Sequence, residues 1–600
     1  MSVESSADLC NELISALNSH LAENRTVDAL TLINSIKYEE CIKDKSWDII
    51  PAISKYLVQD TLDNSPDTFH CCNSLLETIA LKANPEEALL EFLEEAECVE
   101  NDLKFLSMLK PLEIILFRLP KRRQQSLEWC LNTIQTHITS LPLPENYKLE
   151  GSERKLMDSD PSVIRITNVY EKIVCFYKPF INELSCNNVS SSNYPRLHKQ
   201  RDMLICYIFQ LLGRPLAVLD LHYDDKSCSS VMCSVEKLLN FLKDILSDPI
   251  IFLEYAELRE FERRSNQREN KSVNNAQYEN GEENIHIFTR EEKLPTLSIA
   301  VFYYLILVEK MCHDWIPQVY SPIYIYQQCL FLIVILLECS EELIIYKGLF
   351  LAKELLSQLS DGSVSHSFLE SSLNGEFVKS LSKVMIYSEI EEMRKSALLI
   401  FQSYLHKFDD KGQYLLMLNL PSVLNHSGVL GYLITQLKDM IVRTFNSTHS
   451  FFSGKYLFDL MNKYCSLEHG AQTDLVENAD QIVSSLNLIR FLVIRDKGNK
   501  TGIWDYMPIL QKSFLDSLRE GINLSRAHYK LKLKDLEEEN KISRTNNSNN
   551  KSEVTIVVGG QQLPNLPYEN KAGIIHSALN LFDLTESLLS RINECVEARF

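Results

Sequence analysis

Residues 470–496, GAQTDLVENADQIVSSLNLIRFLVIRD, decide how the chain is read. A polar turn leads into a stretch whose apolar residues Leu475, Ile482, Val483, Leu486, Leu488, Ile489, Leu492 and Val493 recur at three-to-four spacing. That spacing predicts one long amphipathic helix with a broad buried face. Arg490 and Arg495 fall off the apolar stripe and are expected to protrude, with Lys497 just beyond them.

A helix of this kind needs partners, and the rest of the chain supplies them. Only 17 Gly and 19 Pro occur in 600 residues, too few for the tight turns of an all-β sandwich. From 6 to 119, amphipathic segments such as ADLCNELISALNSHLAEN and PDTFHCCNSLLETIALKA alternate with short polar or proline-bearing turns, which implies paired antiparallel helices. Asn84-Pro85-Glu86-Glu87 is a helix start, with Asn as the cap, Pro in the first turn and carboxylates at the positive helix end. From 376 onward helix, turn and helix return at a period near forty residues, and EEMRKSALLIFQSYLHKF has the character of a HEAT or armadillo-type layer. The expected fold is all-α: a HEAT/armadillo-like helical repeat, or α-solenoid, in two stacked helical regions.

Six hundred residues exceed what one hydrophobic core serves. Residues 262–284 have almost no apolar side chains and cannot offset the entropy of ordering. This gives an N-terminal acidic helical region at 1–261, a disordered loop at 262–290 and a C-terminal HEAT-like domain at 291–600. A second low-complexity insertion lies near 540–553, followed by TIVVGG, whose β-branched run and Gly-Gly turn suggest a minor strand or turn. The closing helix is expected from about Ala572 to Ala598.

The formal charge of −20 is uneven. Residues 1–160 carry 15 Lys and Arg against 28 Asp and Glu, a balance of −13 that disfavours nucleic acid as a partner. Residues 425–530 carry 12 against 10, a balance of +2 that makes the tract locally neutral to basic and could steer an acidic partner. The acidic run after Asn84 reads as a solvated helix face or as an acidic docking patch, and Lys121-Arg122-Arg123 as a surface loop or a nuclear signal. The most apolar run, Cys329–Leu337, is about half a membrane span and is read as a buried core helix. No membrane association is expected. The start MSVESSADLCNELIS has neither secretory nor transit character, so a cytoplasmic or nucleocytoplasmic (also nuclear) protein is expected. Sixteen scattered Cys, with no CxxC, read as reduced, buried thiols.

Chemistry is not visible. There is no GxSxG, no P-loop, no GxGxxG after a strand and no HExxH. His426, His528 and His576 each sit in a compact polar motif, and none has a partner at ligand spacing. The expectation is a protein without catalytic residues, metal or cofactor. NHSGV at 425–429 reads as a helix cap, with Asn425 or Ser427 accepting backbone N–H groups and Gly428 permitting close backbone approach; contact with a partner is the other reading. In LSRAHY, His528 reads as a histidine orienting the turn after Ser525.

The words of the C-terminal half, NHSGV, GAQTDL, SSLNLIRFLVIRD, TGIW, GINLSRAHY, LPNLP and HSALNLFDLTESLL, stand in an order that resembles the glomulin family. The likeness extends more sparsely to KDKSWDIIPAISKYL, SLPLP and KPFINEL in the N-terminal half. What the resemblance implies is an all-helical HEAT-like scaffold whose C-terminal domain binds the RING subunit of cullin-RING ubiquitin ligases and blocks recruitment of the ubiquitin-conjugating enzyme. It also implies binding to FK506-binding immunophilins, for which no residues here locate a site. The candidate partner-binding set is Asn425, His426, Arg490, Arg495, Lys497, Arg526, His528 and Tyr529. The alternative is a general helical-repeat scaffold or assembly factor without ligase inhibition.

Overall fold

The computed structural model describes residues 3–145, 149, 151–186, 194–224, 227–269, 286–445, 450–545, 557–558, 561–562 and 568–598. It separates into two compact units, Met1–Leu355 and Leu356–Phe600. Both are stacks of α-helices, so the all-α helical-repeat reading holds in each. Among the described residues β-pairing is confined to two small antiparallel ladders, His222–Asp224 with Ser227–Cys228 and Val557–Val558 with Gln561–Gln562, and a single parallel bridge between Val364 and Phe408. In the second ladder, Val557–Val558 supplies the minor strand expected of TIVVGG, while Gly559 and Gly560 lie outside the described residues. No helix among the described residues is long and apolar enough to cross a membrane.

Local sequence explains the helix starts. In the first unit Asn84 accepts a hydrogen bond from the Glu86 backbone N–H, 3.2 Å, and Pro85 occupies the first helical turn of Pro85–Ala96. The most apolar segments form the helices Thr296–Leu307, in which nearly every side chain is buried, and Pro322–Leu337, buried from Cys329 to Leu337 except at the half-buried Ile335. Cys329–Leu337 is thus a core helix, as its length predicts. The thiols are buried only in part: desolvation pushes the buried Cys130 and Cys206 thiols up to about 12, whereas Cys175, Cys228 and Cys233 are exposed, against the expectation.

The boundary between the units falls inside the helix Glu342–Ser357, not at 262–290. Residues 262–269 continue the helix Ile251–Glu269, and 270–285 lie outside the described residues. Both flanks of that segment belong to the first unit, because the buried Arg259 guanidinium donates to the carbonyls of Phe288 and Arg290 and to Thr296. Of the insertion expected near 540–553, residues 540–545 instead complete the helix Asp516–Thr545, and 546–553 lie outside the described residues.

In the second unit, Glu391–Lys407 realises the repeat-like segment EEMRKSALLIFQSYLHKF. Buried tyrosines tie successive layers together. Tyr404 donates to Asn374 at 2.9 Å and Tyr464 to the Met417 carbonyl at 2.8 Å, so phenols that would otherwise be costly to bury find acceptors. The chain ends in the closing helix Tyr568–Glu597, which starts four residues before the expected Ala572 and places His576 inside it instead of at its start.

Candidate functional site

The stretch 470–496 folds as read, with a short 3-10 turn at Gly470–Gln472 and the helix Ala479–Arg495, here called the motif helix. Asp474 starts the intervening turn by accepting from the backbone N–H groups of Val476 and Glu477. Ile482, Leu486, Leu488, Ile489, Leu492 and Val493 are buried, as is Leu475 before them; Val483 is half-buried.

The motif helix lies against Ser427–Thr444. At one end Ser427 Oγ accepts from the Gln481 backbone N–H, 3.2 Å, and at the other Lys500 Nζ sits over the Phe445 ring, so the two helices run parallel. Close approach depends on Gly431: a Cβ there would stand 2.9 Å from the Asp480 carbonyl oxygen. The glycine that admits a neighbouring backbone is therefore Gly431, not Gly428, whose Cβ would meet the side chains of His426 and Asp480. The cap at this helix is corrected too. The N-cap residue is His426, without a side-chain cap bond, and Ser427 serves the motif helix instead. Asn425 and His426 are both exposed.

At the other end of the motif helix Arg495 and Lys497 are exposed and Arg490 is half-buried; none has an ion-pair partner among the described residues. Asp496, adjacent in sequence, does not offset them. It is only 1% exposed, and its carboxylate accepts from the Lys500 N–H (2.7 Å), the Thr501 N–H (2.6 Å) and Thr501 Oγ (2.5 Å). The loop closes through Trp504 Nε1, which donates to the Asp496 carbonyl at 2.7 Å, and turns through Gly502 at φ +78 beside Gly454 and Phe458. The negative charge is consumed inside the loop while the cations face outward.

GINLSRAHY is not a turn. It lies within the thirty-residue helix Asp516–Thr545, and Gly521 is there because a Cβ would come 3.0 Å from the Ala471 carbonyl oxygen. The words GAQTDL and GINLSRAHY thus meet in space. Arg526 faces the closing helix and forms ion pairs with Asp583 (2.9 Å) and Glu586 (2.6 Å). Tyr529 packs edge-on to Phe582 and joins a small cluster with Leu533, Leu536, Ile575 and Leu579. Burial pushes its phenol up. His528 is exposed on another face of the helix.

The eight candidate residues therefore do not form one cluster. Asn425 and His426 sit at the start of the motif helix, and Arg495 and Lys497 at its end, some ~24 Å away for a helix of this length. Arg526 and Tyr529 are engaged with the closing helix. Asp583 and Glu586, which hold Arg526, were not anticipated; their i,i+3 spacing is visible in the sequence, but their partner is 57 and 60 residues distant. Among the described residues no three His, Cys, Asp or Glu side chains gather as a metal-holding group.

Stacked helices locked by backbone-directed bonds, with cations that have no ion-pair partner among the described residues on the last turns of the motif helix and just beyond it, define a helical-repeat scaffold. Within that class the chain belongs to the family described as "Uncharacterised protein family, YAP/Alf4/glomulin", whose model matches residues 7–569. It is similar to glomulin of Mus musculus, 29% identical over 579 residues that cover 95% of this chain and 90% of the mouse protein. It is likewise similar to glomulin of Homo sapiens, 29% identical over 589 residues, 96% of this chain and 92% of the human protein.

Proposed function

We propose that the chain is a non-catalytic regulator that binds the RING subunit of cullin-RING ubiquitin ligases, together with its cullin, and blocks recruitment of the ubiquitin-conjugating enzyme. The reading rests on membership of the glomulin-containing family along nearly the whole chain, and on what the glomulin resemblance implies for the C-terminal half. The observation that carries the choice of surface is that Arg490, Arg495 and Lys497, on the last turns of the motif helix and just beyond it, have no ion-pair partner among the described residues. Such cations cost the scaffold little and remain available to a partner, and Arg is favoured at interface hot spots. Occlusion is sufficient as a mechanism. A RING recruits its conjugating enzyme through a small interface, and a stacked-helix surface buries more area around the same patch. The proposed compartment is the cytoplasm, and also the nucleus.

The test is an affinity capture of purified RING subunit and cullin by the full chain, followed by a ubiquitin-chain assay with the chain added. Co-elution with falling ubiquitin transfer is expected. No association at micromolar concentration sinks the proposal, and co-elution without inhibition favours the general scaffold reading.

A further inference from the structure

The helix Asp516–Thr545 has two apolar faces. One carries Ile522, Tyr529, Leu533 and Leu536 and is packed, through the Leu536–Ile575 cluster, on the closing helix. The other carries Leu524, Ala527, His528 and Leu531, which share a side by their three, four and seven spacing. All four are exposed, Leu524 to 53% and Leu531 to 60%, and nothing in the described fold covers them. Glu520 and Lys534, both exposed and without an ion pair among the described residues, flank this second face on the same side.

We propose that this face is a self-association surface on which two copies of the chain pack these helices antiparallel, about a two-fold axis between Ala527 and His528. The argument is the symmetry of the pattern. An isologous contact sets each residue opposite its mirror position along the helix. About an axis between 527 and 528, Leu524 meets Leu531 of the second copy, and Leu531 meets Leu524 of the second copy. Lys534 comes level with position 521 of the second copy, one 1.5 Å step from Glu520 of the second copy. In an antiparallel pair like flank meets like flank, so Glu520 and Lys534 form two equivalent inter-copy ion pairs. The leucines are symmetric about this axis and the two opposite charges are symmetric to within one residue, a pattern that a groove built for a foreign helix does not require. Asp535 lies at the level of Glu520 of the second copy without a cation, which weakens the contact. Two leucines a side put the interface at the small, transient end of the size range, so association is read at high protein concentration. The proposal is independent of ligase binding.

Sedimentation of the full chain over roughly 1 to 200 µM reads it out, since 1.4 kcal/mol is tenfold in the dissociation constant. The mass is expected to rise from 69.2 kDa toward twice that value. Leu531→Glu should hold the chain monomeric with its helical circular dichroism unchanged. Glu520→Lys and Lys534→Glu should each weaken association about tenfold, since two exposed pairs turn repulsive in each case. Combining the two swaps should restore it. A chain that stays monomeric throughout, a Leu531→Glu chain that associates like the parent, or a double swap as weak as either single one overturns the proposal.

Discussion

Two aspartates, one in each unit, show how a helical scaffold disposes of charge. In the first unit Asp102 opens the helix Asp102–Arg118 and binds side-chain donors: Arg165 contributes Nε at 2.5 Å and an NH2 group at 2.9 Å, and His137 Nε2 lies 3.0 Å away. His137 is buried and stacked on Phe105 at 3.8 Å, so one carboxylate fastens three helices, Asp102–Arg118, Arg123–Ser140 and Pro161–Cys186. In the second unit Asp496 binds backbone N–H groups and a hydroxyl. Both carboxylates are satisfied, but the first consumes a cation and the second leaves Arg495 and Lys497 uncommitted. The lesson is that a helix end is cationic because of where its anion points, not because its composition is basic.

The comparison is broken most sharply at Asp496. Asp496→Ala strips three bonds from a buried loop and leaves two backbone donors without partners, a loss of about 3 kcal/mol by the cost of unsatisfied and charge-assisted bonds. Hydrogen exchange should rise across 496–504 first, since Trp504 and the Gly454–Thr501 contact hang on the same turn. Exchange that rises evenly over the second unit would show that the loop is not the seat of the effect.

Asp102 sharpens the contrast through pH. Burial alone would raise its carboxyl, but hydrogen bonds from His137 and Arg165 hold it down at about 2. A folded value below the unfolded ~3.9 contributes stability that is present above the unfolded pKa and lost as pH falls through the folded one, about 2 kcal/mol in all. The first unit should therefore weaken between about pH 4 and pH 2. Asp102→Asn should lower the urea midpoint at neutral pH and flatten that acid limb. An unchanged limb would place the acid sensitivity elsewhere.

Arg526 is the intermediate case, a cation of the second unit that is consumed, but at the surface. Asp583 is 70% and Glu586 49% exposed, so solvent screens both pairs. Arg526→Ala should cost about 1 kcal/mol or less, and high salt should erase the difference from the parent. A salt-independent loss would mean that the aliphatic stem packed on the closing helix carries the effect.

How much of this was legible follows from the range of each interaction. The buried stripe of 482–493, the Asn84–Pro85 helix start and the core helix at 329–337 are local patterns, and the sequence carries them in its spacing. LSRAHY reads as holding a turn after Ser525, yet it lies within a long helix. Its helical register, Leu518, Ile522, Tyr529 and Leu536, prevails because that face is buried, and Gly521 answers to Ala471 fifty residues away. Nothing in RDKGNKTG reveals that Asp496 turns inward, since the same letters fit an Asp–Arg surface pair. The Arg526 pairs join residues far apart in sequence, where linear spacing is silent.

The smallest effect on stability is expected where the functional reading is staked. Arg490, Arg495 and Lys497 make no ion pair in the described fold, and the helix end they occupy already has its loop satisfied by Asp496. Replacing all three by Glu removes nothing that holds the scaffold; the opposing cost is a carboxylate near a helix C-terminus, a few tenths of a kcal/mol. The melting midpoint should shift by the equivalent of about 0.5 kcal/mol or less, as for ordinary surface changes. Binding to the RING subunit should fall by an order of magnitude or more, because reversal turns each attraction into repulsion. Arg526→Glu, placed in the same assay, should disturb the closing helix first and binding only through it. If the triple reversal binds as the parent does, that helix end is plain surface and the docking face lies elsewhere on the second unit. If it unfolds instead, the cations are structural after all, and the contrast between Asp102 and Asp496 fails with it.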